Sequence, residues 1–285
     1  MSARERNRST PPSDSGAVQA ILAAFQFLSR FPVRKELDFT PELLRRSAGY
    51  YPLVGAAIGL CVWGFGLLAA WLVPPLPVAV LALILWVWLT GGLHLDGWMD
   101  TADGLLSYRS RESMLEIMKD SRVGAMGVLA CVLLLMLKAS LLASLLQGSA
   151  LSSGLALLTA PVWSRWFMTR AMHKWPKARQ GEGLAGQFRG FGDRDAQSAT
   201  VLAISLSGAG LLLTLIIGPW SSIGEPDLLR TLLYLCLHPL LAWAAGTWAA
   251  GRMSAKLGGL TGDTYGALNE GLEALLLLLA VLILR

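Results

Sequence analysis

The amino-acid sequence predicts an all-α, polytopic helical membrane protein with about seven transmembrane helices and an N-terminal interfacial helix. Of 285 residues, 54% are hydrophobic and only 15% charged, where an ordinary soluble domain carries about a quarter charged residues. Seven stretches approach or exceed the ~20 apolar residues that cross a hydrocarbon core. The Lys and Arg residues between them fall on alternate connections, the pattern by which helical membrane proteins orient themselves.

Residues 1–16, rich in Ser, Pro and Arg, read as a disordered tail. Ala17 to Val33 is apolar but short and ends in Arg30 and Pro32, which suits a helix lying in the interface better than a full crossing. The seven spans then run from Tyr50 to Val73, Pro77 to Leu95, Val123 to Leu146, Leu151 to Met172, Ala199 to Trp220, Leu232 to Ala250 and Ala267 to Leu284. No repeat or compositional break divides residues 17–285, which read as a single integral membrane domain, the catalytic unit if the motifs below form an active site.

Most of the 24 Lys and Arg residues sit in the tail, before the first span, and in the connections after spans two, four and six. The intervening connections, Val73 to Pro77, Gln147 to Ala150 and Gly218 to Leu229, have none. The positive-inside rule then sets the N-terminus in the cytoplasm and the C-terminus outside, in a multi-pass protein. The net charge of +5 is therefore a topology signal. No basic patch interleaved with exposed aromatics points to nucleic acid. Cys61, Cys131 and Cys236 all lie inside spans, which suggests neither a disulfide framework nor a zinc cluster.

Asp96, Asp100 and Asp103 stand at i, i+4 and i+7 in the run Gly91 to Gly104, at the end of the second span. On a helix they share a face about 60° wide. Crowded carboxylates call for a cation. Hard oxygen ligands suit Mg²⁺, which takes one or two carboxylates and shares its remaining shell with water and substrate phosphates. The connection continues through Arg109, Arg111, Lys119 and Arg122. Acid to hold a metal and base to hold phosphate oxygens are the complements that phosphoryl transfer needs. The alternative is a solvated, salt-bridged helix at the membrane surface.

His94 would lie about 160° from Asp96 on a continuous helix and joins the site only if Gly91, Gly92 or Gly97 breaks it. A metal ligand, a general base and a packing histidine all remain open for it. A second acidic group, Asp263, Glu270 and Glu273, opens the last span. The glutamates either complete a metal shell or pair with Arg165 of span four; Asp263 is either a site residue or a helix N-cap. The glycine-rich, basic segment from Trp175 to Phe188 suits a flap over an anionic substrate. Lys138, nearer the outer end of its span, can snorkel, and both it and His238 read as structural residues.

At these motifs the chain resembles the cobalamin synthase family, the adenosylcobinamide-GDP ribazoletransferases. The resemblance rests on Phe27-Leu-Ser-Arg-Phe-Pro-Val33, Tyr51-Pro-Leu-Val-Gly55, Gly91 to Gly104, Ser110 to Gly124, Ala178-Arg179 with Gly183-Leu184, and Gly262-Asp-Thr-Tyr-Gly266. It implies an inner-membrane enzyme that needs Mg²⁺ and joins adenosylcobinamide-GDP to α-ribazole or its 5′-phosphate with release of GMP, the last assembly step of cobalamin (vitamin B12). The residues suit that chemistry. Asp96, Asp100 and Asp103, with Asp263, are expected to hold Mg²⁺; Arg111, Lys119, Arg122 and Arg179 to hold phosphate oxygens; and His94 or a carboxylate to accept the hydroxyl proton. Two other readings stand beside it. Asp100-Thr-Ala-Asp-Gly104 matches the start of the CDP-alcohol phosphotransferase signature, although Ser107 and Tyr108 break the match. An ion transporter would also place charges within spans. A homo-oligomer is compatible with the sequence.

Overall fold

The computed structural model describes residues 14–179, 192–218 and 227–284. Among them run eleven helices: α1 (Asp14–Leu28), α2 (Pro41–Ala48), α3 (Tyr51–Ala69), α4 (Pro75–Thr90), α5 (Leu93–Leu106), α6 (Arg111–Ile117), α7 (Ala125–Leu146), α8 (Ala150–Lys174), α9 (Asp193–Ile217), α10 (Leu228–Leu257) and α11 (Gly262–Leu284). Of the tail expected over 1–16, residues 1–13 lie outside the described set. Residues 14–16 belong to the first turn of α1. That helix has 15 residues, too few to cross a hydrocarbon core, and it buries Ala20, Ala23, Ala24 and Leu28 against its neighbours α2 and α3.

The protein is a polytopic helical membrane protein. Helices α3, α7, α9, α10 and α11 are long and apolar enough to cross a membrane, and α4 with α5 makes a sixth crossing if the bent pair is one span. The predicted span Leu151 to Met172 forms as α8 but is not in that set, because Ser152, Ser153, Thr159, Ser164, Arg165 and Thr169 dilute its apolar content. All six are buried. A helix enclosed by other helices needs no lipid-facing surface, so its polar groups meet protein partners. Trp163 and Trp166 donate their indole N–H groups to Ser207 and Thr200 of α9, Thr159 bonds Tyr234 of α10, and Thr169 donates to the Ala48 carbonyl of α2.

Helix α3 approaches α8 more closely than ordinary side chains permit. A Cβ on Gly55 would overlap the Pro161 carbonyl, and one on Gly59 the Leu157 carbonyl. Pro161 has no N–H, so the Leu157 carbonyl lacks its usual helical donor, and the glycine face settles against it. This is the small-xxx-small packing by which membrane helices gain dispersion contact without a hydrophobic driving force.

The predicted span Pro77 to Leu95 is interrupted. Gly91 and Gly92 both adopt left-handed conformations (φ 66° and 74°), which glycine alone adopts without strain. Their N–H groups cap the Trp88 and Val87 carbonyls, ending α4, and α5 departs at 90°. Beyond the break α5 packs on α11 and α7.

Gly59→Val is expected to lower stability by about 1–3 kcal/mol through overpacking, read as a fall in melting temperature in detergent. Gly64→Val, at a position with no neighbour within 4 Å, serves as the control. Equal melting of the two variants would refute the α3–α8 packing.

Candidate functional site

Helix α5 carries Asp96, Asp100 and Asp103, and α11 carries Asp263 in its first turn. Two glycines bring these helices together. A Cβ on Gly97 would lie 2.6 Å from the Asp263 carbonyl oxygen, and one on Gly266 would lie 3.0 Å from that of His94. Asp263 is not the cap of its helix. Thr261 takes that role: its hydroxyl accepts from the Thr264 N–H at 3.2 Å, and the Thr264 hydroxyl accepts from the Thr261 N–H at 2.8 Å. The Asp263 carboxylate, touched by the Thr261 hydroxyl at 3.3 Å, thus remains turned to the α5 aspartates.

Arg179 reaches the same place from the end of α8. The strand-like segment after α8 pairs with the turn between α10 and α11: Leu260 donates to the Pro176 carbonyl at 2.8 Å and Ala178 to the Leu260 carbonyl at 2.9 Å. Gly259 (φ 147°) lies against this backbone with no room for a side chain. Arg179 Nη2 donates to the Leu115 carbonyl at 2.8 Å, and Nη1 stands 3.9 Å from the Asp263 carboxylate. A small apolar cluster of Met114, Met118 and Leu257, with Leu105, Leu115 and Ala178 around it, fastens α6 to this assembly.

The outcome is an acidic cluster with an arginine beside it. Asp96 is exposed; Asp100 and Asp263 are half-buried. Partial burial, then repulsion from Asp96, Asp263 and Asp103, raises the Asp100 pKa from 3.8 to about 7, against the opposing pull of Arg179. Among the described residues no three His, Cys, Asp or Glu side chains close around one point. A two-carboxylate Mg²⁺ site open to water and phosphate does not require that they do. The hard oxygen donors and their negative charge, offset only in part by Arg179, therefore suit Mg²⁺.

Asp103 points elsewhere. It is buried, and its two carboxylate oxygens accept from the Gly124 and Gly127 N–H groups, each at 2.7 Å, capping the first turn of α7. The sequence-predicted metal ligand is thus an anchor between α5 and α7. His94 is also directed away from the aspartates, because the helix breaks before it and leaves it on the opposite side of α5. It is buried, with Nδ1 3.1 Å from Asn269 Nδ2. Asn269 accepts from Ser164 through Oδ1 and donates to Glu273 through Nδ2. That orientation makes His94 Nδ1 an acceptor and puts its proton on Nε2, so neither nitrogen is free to act as a base.

Asn269 joins His94 to an ion network within the membrane. Lys138 Nζ of α7 lies 2.7 Å from Glu270 and 2.6 Å from Glu273, and Arg165 Nη1 of α8 lies 2.7 Å from Glu273. Lys138 also sits over the Trp86 ring of α4 at 4.7 Å. Only 2% exposed, Lys138 does not snorkel. The glutamates are committed to these cations and not to the aspartate cluster. His238 packs against Tyr234 and Trp163.

The other expected phosphate ligands are spread out. The Arg111 guanidinium lies over Gly258, whose missing side chain admits it. Lys119 is exposed just past α6. Arg122 is exposed and held by Asp120 at 2.7 Å. The expected flap falls largely outside the described residues, which resume at 192. Sequence reasoning missed Asn269, Ser164 and Thr261. A lone Asn inside an apolar run is the signal that marks the first, since an amide in a span must find partners.

The fold and site define a polytopic helical membrane protein that gathers carboxylates and arginines at one end of its bundle. Residues 20–281 match the family model described as cobalamin-5-phosphate synthase, and the chain belongs to that family. It is 39% identical over 265 residues to an adenosylcobinamide-GDP ribazoletransferase of Brevibacillus brevis, covering 93% of this chain and 98% of the relative. It is 41% identical over 268 residues to one from Desulfitobacterium hafniense, covering 92% and 96%, and 37% identical over 271 residues to one from a Roseiflexus species, covering 92% and 89%. No solved structure matches the chain.

Glu273→Ala leaves two buried cations short of a partner and is expected to cost about 3–5 kcal/mol. Glu270→Ala, which leaves Lys138 its bond to Glu273, should cost less; thermal melts of the two variants test the order. Asp103→Ala is expected to cost about 1–2 kcal/mol as a lost cap, whereas Asp100→Asn stabilises. A carboxyl group with a raised folded pKa holds its proton more tightly folded than unfolded, so the ionised form penalises folding increasingly from about pH 4 to 7. In Mg²⁺-free buffer the Asp100→Asn gain should therefore be full above pH 7 and vanish toward pH 4.

Proposed function

We propose that this chain joins adenosylcobinamide-GDP to α-ribazole or its 5′-phosphate and releases GMP, as the Mg²⁺-dependent last assembly step of cobalamin. The relatives' names suggest the reaction, and one observation supports this reading: Asp96 and Asp100 of α5 converge with Asp263 of α11 beside Arg179. The ribose hydroxyl of the acceptor attacks the phosphorus attached to the cobinamide, the new P–O bond forms as the bond to the GMP oxygen breaks, and a phosphodiester results.

Two of the three carboxylates Asp96, Asp100 and Asp263 would hold Mg²⁺, which when bound neutralises charge on the pyrophosphate and on departing GMP. Arg179, steadied by the Leu115 carbonyl, presents its guanidinium to phosphate oxygens, and Arg111 lies over Gly258. With His94 Nδ1 engaged by Asn269 and its proton on Nε2, the hydroxyl proton passes to a carboxylate, and Asp96 is the most open to solvent. His94 is a positioning residue that joins α5 to α11 through Asn269. The distribution of loop cations supports a site facing the cytoplasm, with α11 ending outside, in the cytoplasmic membrane.

GMP release by the lipid-reconstituted protein from adenosylcobinamide-GDP is expected to need both the acceptor and Mg²⁺, and to stop in EDTA. Asp96→Asn, Asp100→Asn and Asp263→Asn should lower kcat by roughly a hundredfold or more, the scale for removing a charge-stabilising group. His94→Gln, which keeps an acceptor for Asn269, should retain most turnover. Release without an acceptor, or undiminished in EDTA, would refute the proposal.

A further inference from the structure

Tyr108 lies between α5 and α6 with φ 53°, and among the described residues it alone combines a side chain with a left-handed backbone. It follows the C-cap of α5, Ser107, at a position where Gly or Asn normally stands. Among the described residues the other left-handed turns use glycine, at Gly91, Gly92 and Gly258. Burial does not account for the exception, since Tyr108 is 86% exposed. Its ring instead faces Lys256 Nζ at 6.0 Å. Lys256 belongs to the last turn of α10, two residues before Gly258, over which the Arg111 guanidinium lies. The same turn continues to Asp263 and its neighbour Arg179. An exposed aromatic face, two cations and the turn that leads to Asp263 thus follow one another through these contacts.

We propose that Tyr108 is a stacking platform for the planar base of a nucleotide substrate, and that this base is the guanine of the GDP moiety, with Arg111 and Lys256 beside it on the phosphate side. The inference rests on the function proposed above. An aromatic face flanked by cations suits a base carried on phosphate, and backbone strain persists where function needs the side chain. The aromatic base of α-ribazole shares the stacking chemistry. The guanine is preferred because these cations match the charge of a nucleoside diphosphate.

The test compares wild type, Tyr108→Gly and Tyr108→Trp, reconstituted in lipid with Mg²⁺, by GMP binding, by KM for each substrate and by thermal melting. Tyr108→Gly relieves the backbone, so it should melt no lower than wild type. It should nevertheless bind GMP about tenfold more weakly, the scale of one lost base stack, and raise KM for adenosylcobinamide-GDP in parallel. Its kcat and its KM for α-ribazole should hold, and Tyr108→Trp should restore GMP binding. Unchanged GMP binding in Tyr108→Gly would overturn the proposal, as would a rise confined to the KM for α-ribazole. A wild-type protein that releases no GMP from adenosylcobinamide-GDP with acceptor and Mg²⁺ present would overturn the proposed function as well.

Discussion

Two positive and two negative side chains share the interior of this bundle, and the rest of the architecture is arranged so that they meet. Lys138, Arg165, Glu270 and Glu273 come from three helices and balance to zero net charge. Any one of them alone in hydrocarbon would cost several kcal/mol. Together they fix α7, α8 and α11 in azimuth as well as depth. Dispersion contacts between apolar helices are less selective, because lipid tails offer similar contact. Through Asn269 the network reaches His94 and so holds the start of α5.

That hold gives the aspartate cluster its shape. Helix α5 leaves α4 at a right angle and would be a loosely tethered surface helix if only its own sequence positioned it. It is fixed at three points: His94 on Asn269, Gly97 and Gly266 at the α11 contact, and Asp103 on the first turn of α7. Asp96 and Asp100 then face Asp263 without side-chain cations of their own helix to quench them. The division of labour among four aspartates follows from what each meets: backbone N–H groups for Asp103, like charge for Asp100.

Much of this was legible in the sequence. The all-helical membrane fold followed from apolar stretches of adequate length; the span expected over Pro77 to Leu95 ran through Gly91-Gly92, where glycine's conformational freedom permits a break but does not by itself require one. Helical spacing put Asp96, Asp100 and Asp103 on one face, but spacing cannot say what the face meets, and Asp103 met the end of α7. The sequence leaves snorkelling open to Lys138 because position along a span gives depth and not direction. Had it been set against Glu270 and Glu273 as two unpaired carboxylates in the same membrane, the pairing would have been open to inference. The tripeptide between Gly55 and Gly59 was a packing signal in plain view. A φ angle such as that of Tyr108 leaves no trace in residue type; an exposed aromatic at a helix end looks like any loop residue.

The partners in the ion network lie 108 to 135 residues apart in the chain. At a synthesis rate of roughly 5–20 residues per second, Lys138 and Arg165 emerge about 5 to 30 seconds before the glutamates that neutralise them. During that interval α7 and α8 carry cations that hydrocarbon rejects. They must keep contact with water, headgroups or the insertion machinery. Final burial of both helices therefore waits for α11, so the bundle closes in one late event and not span by span, and a nascent chain halted before Glu270 remains a substrate for membrane quality control.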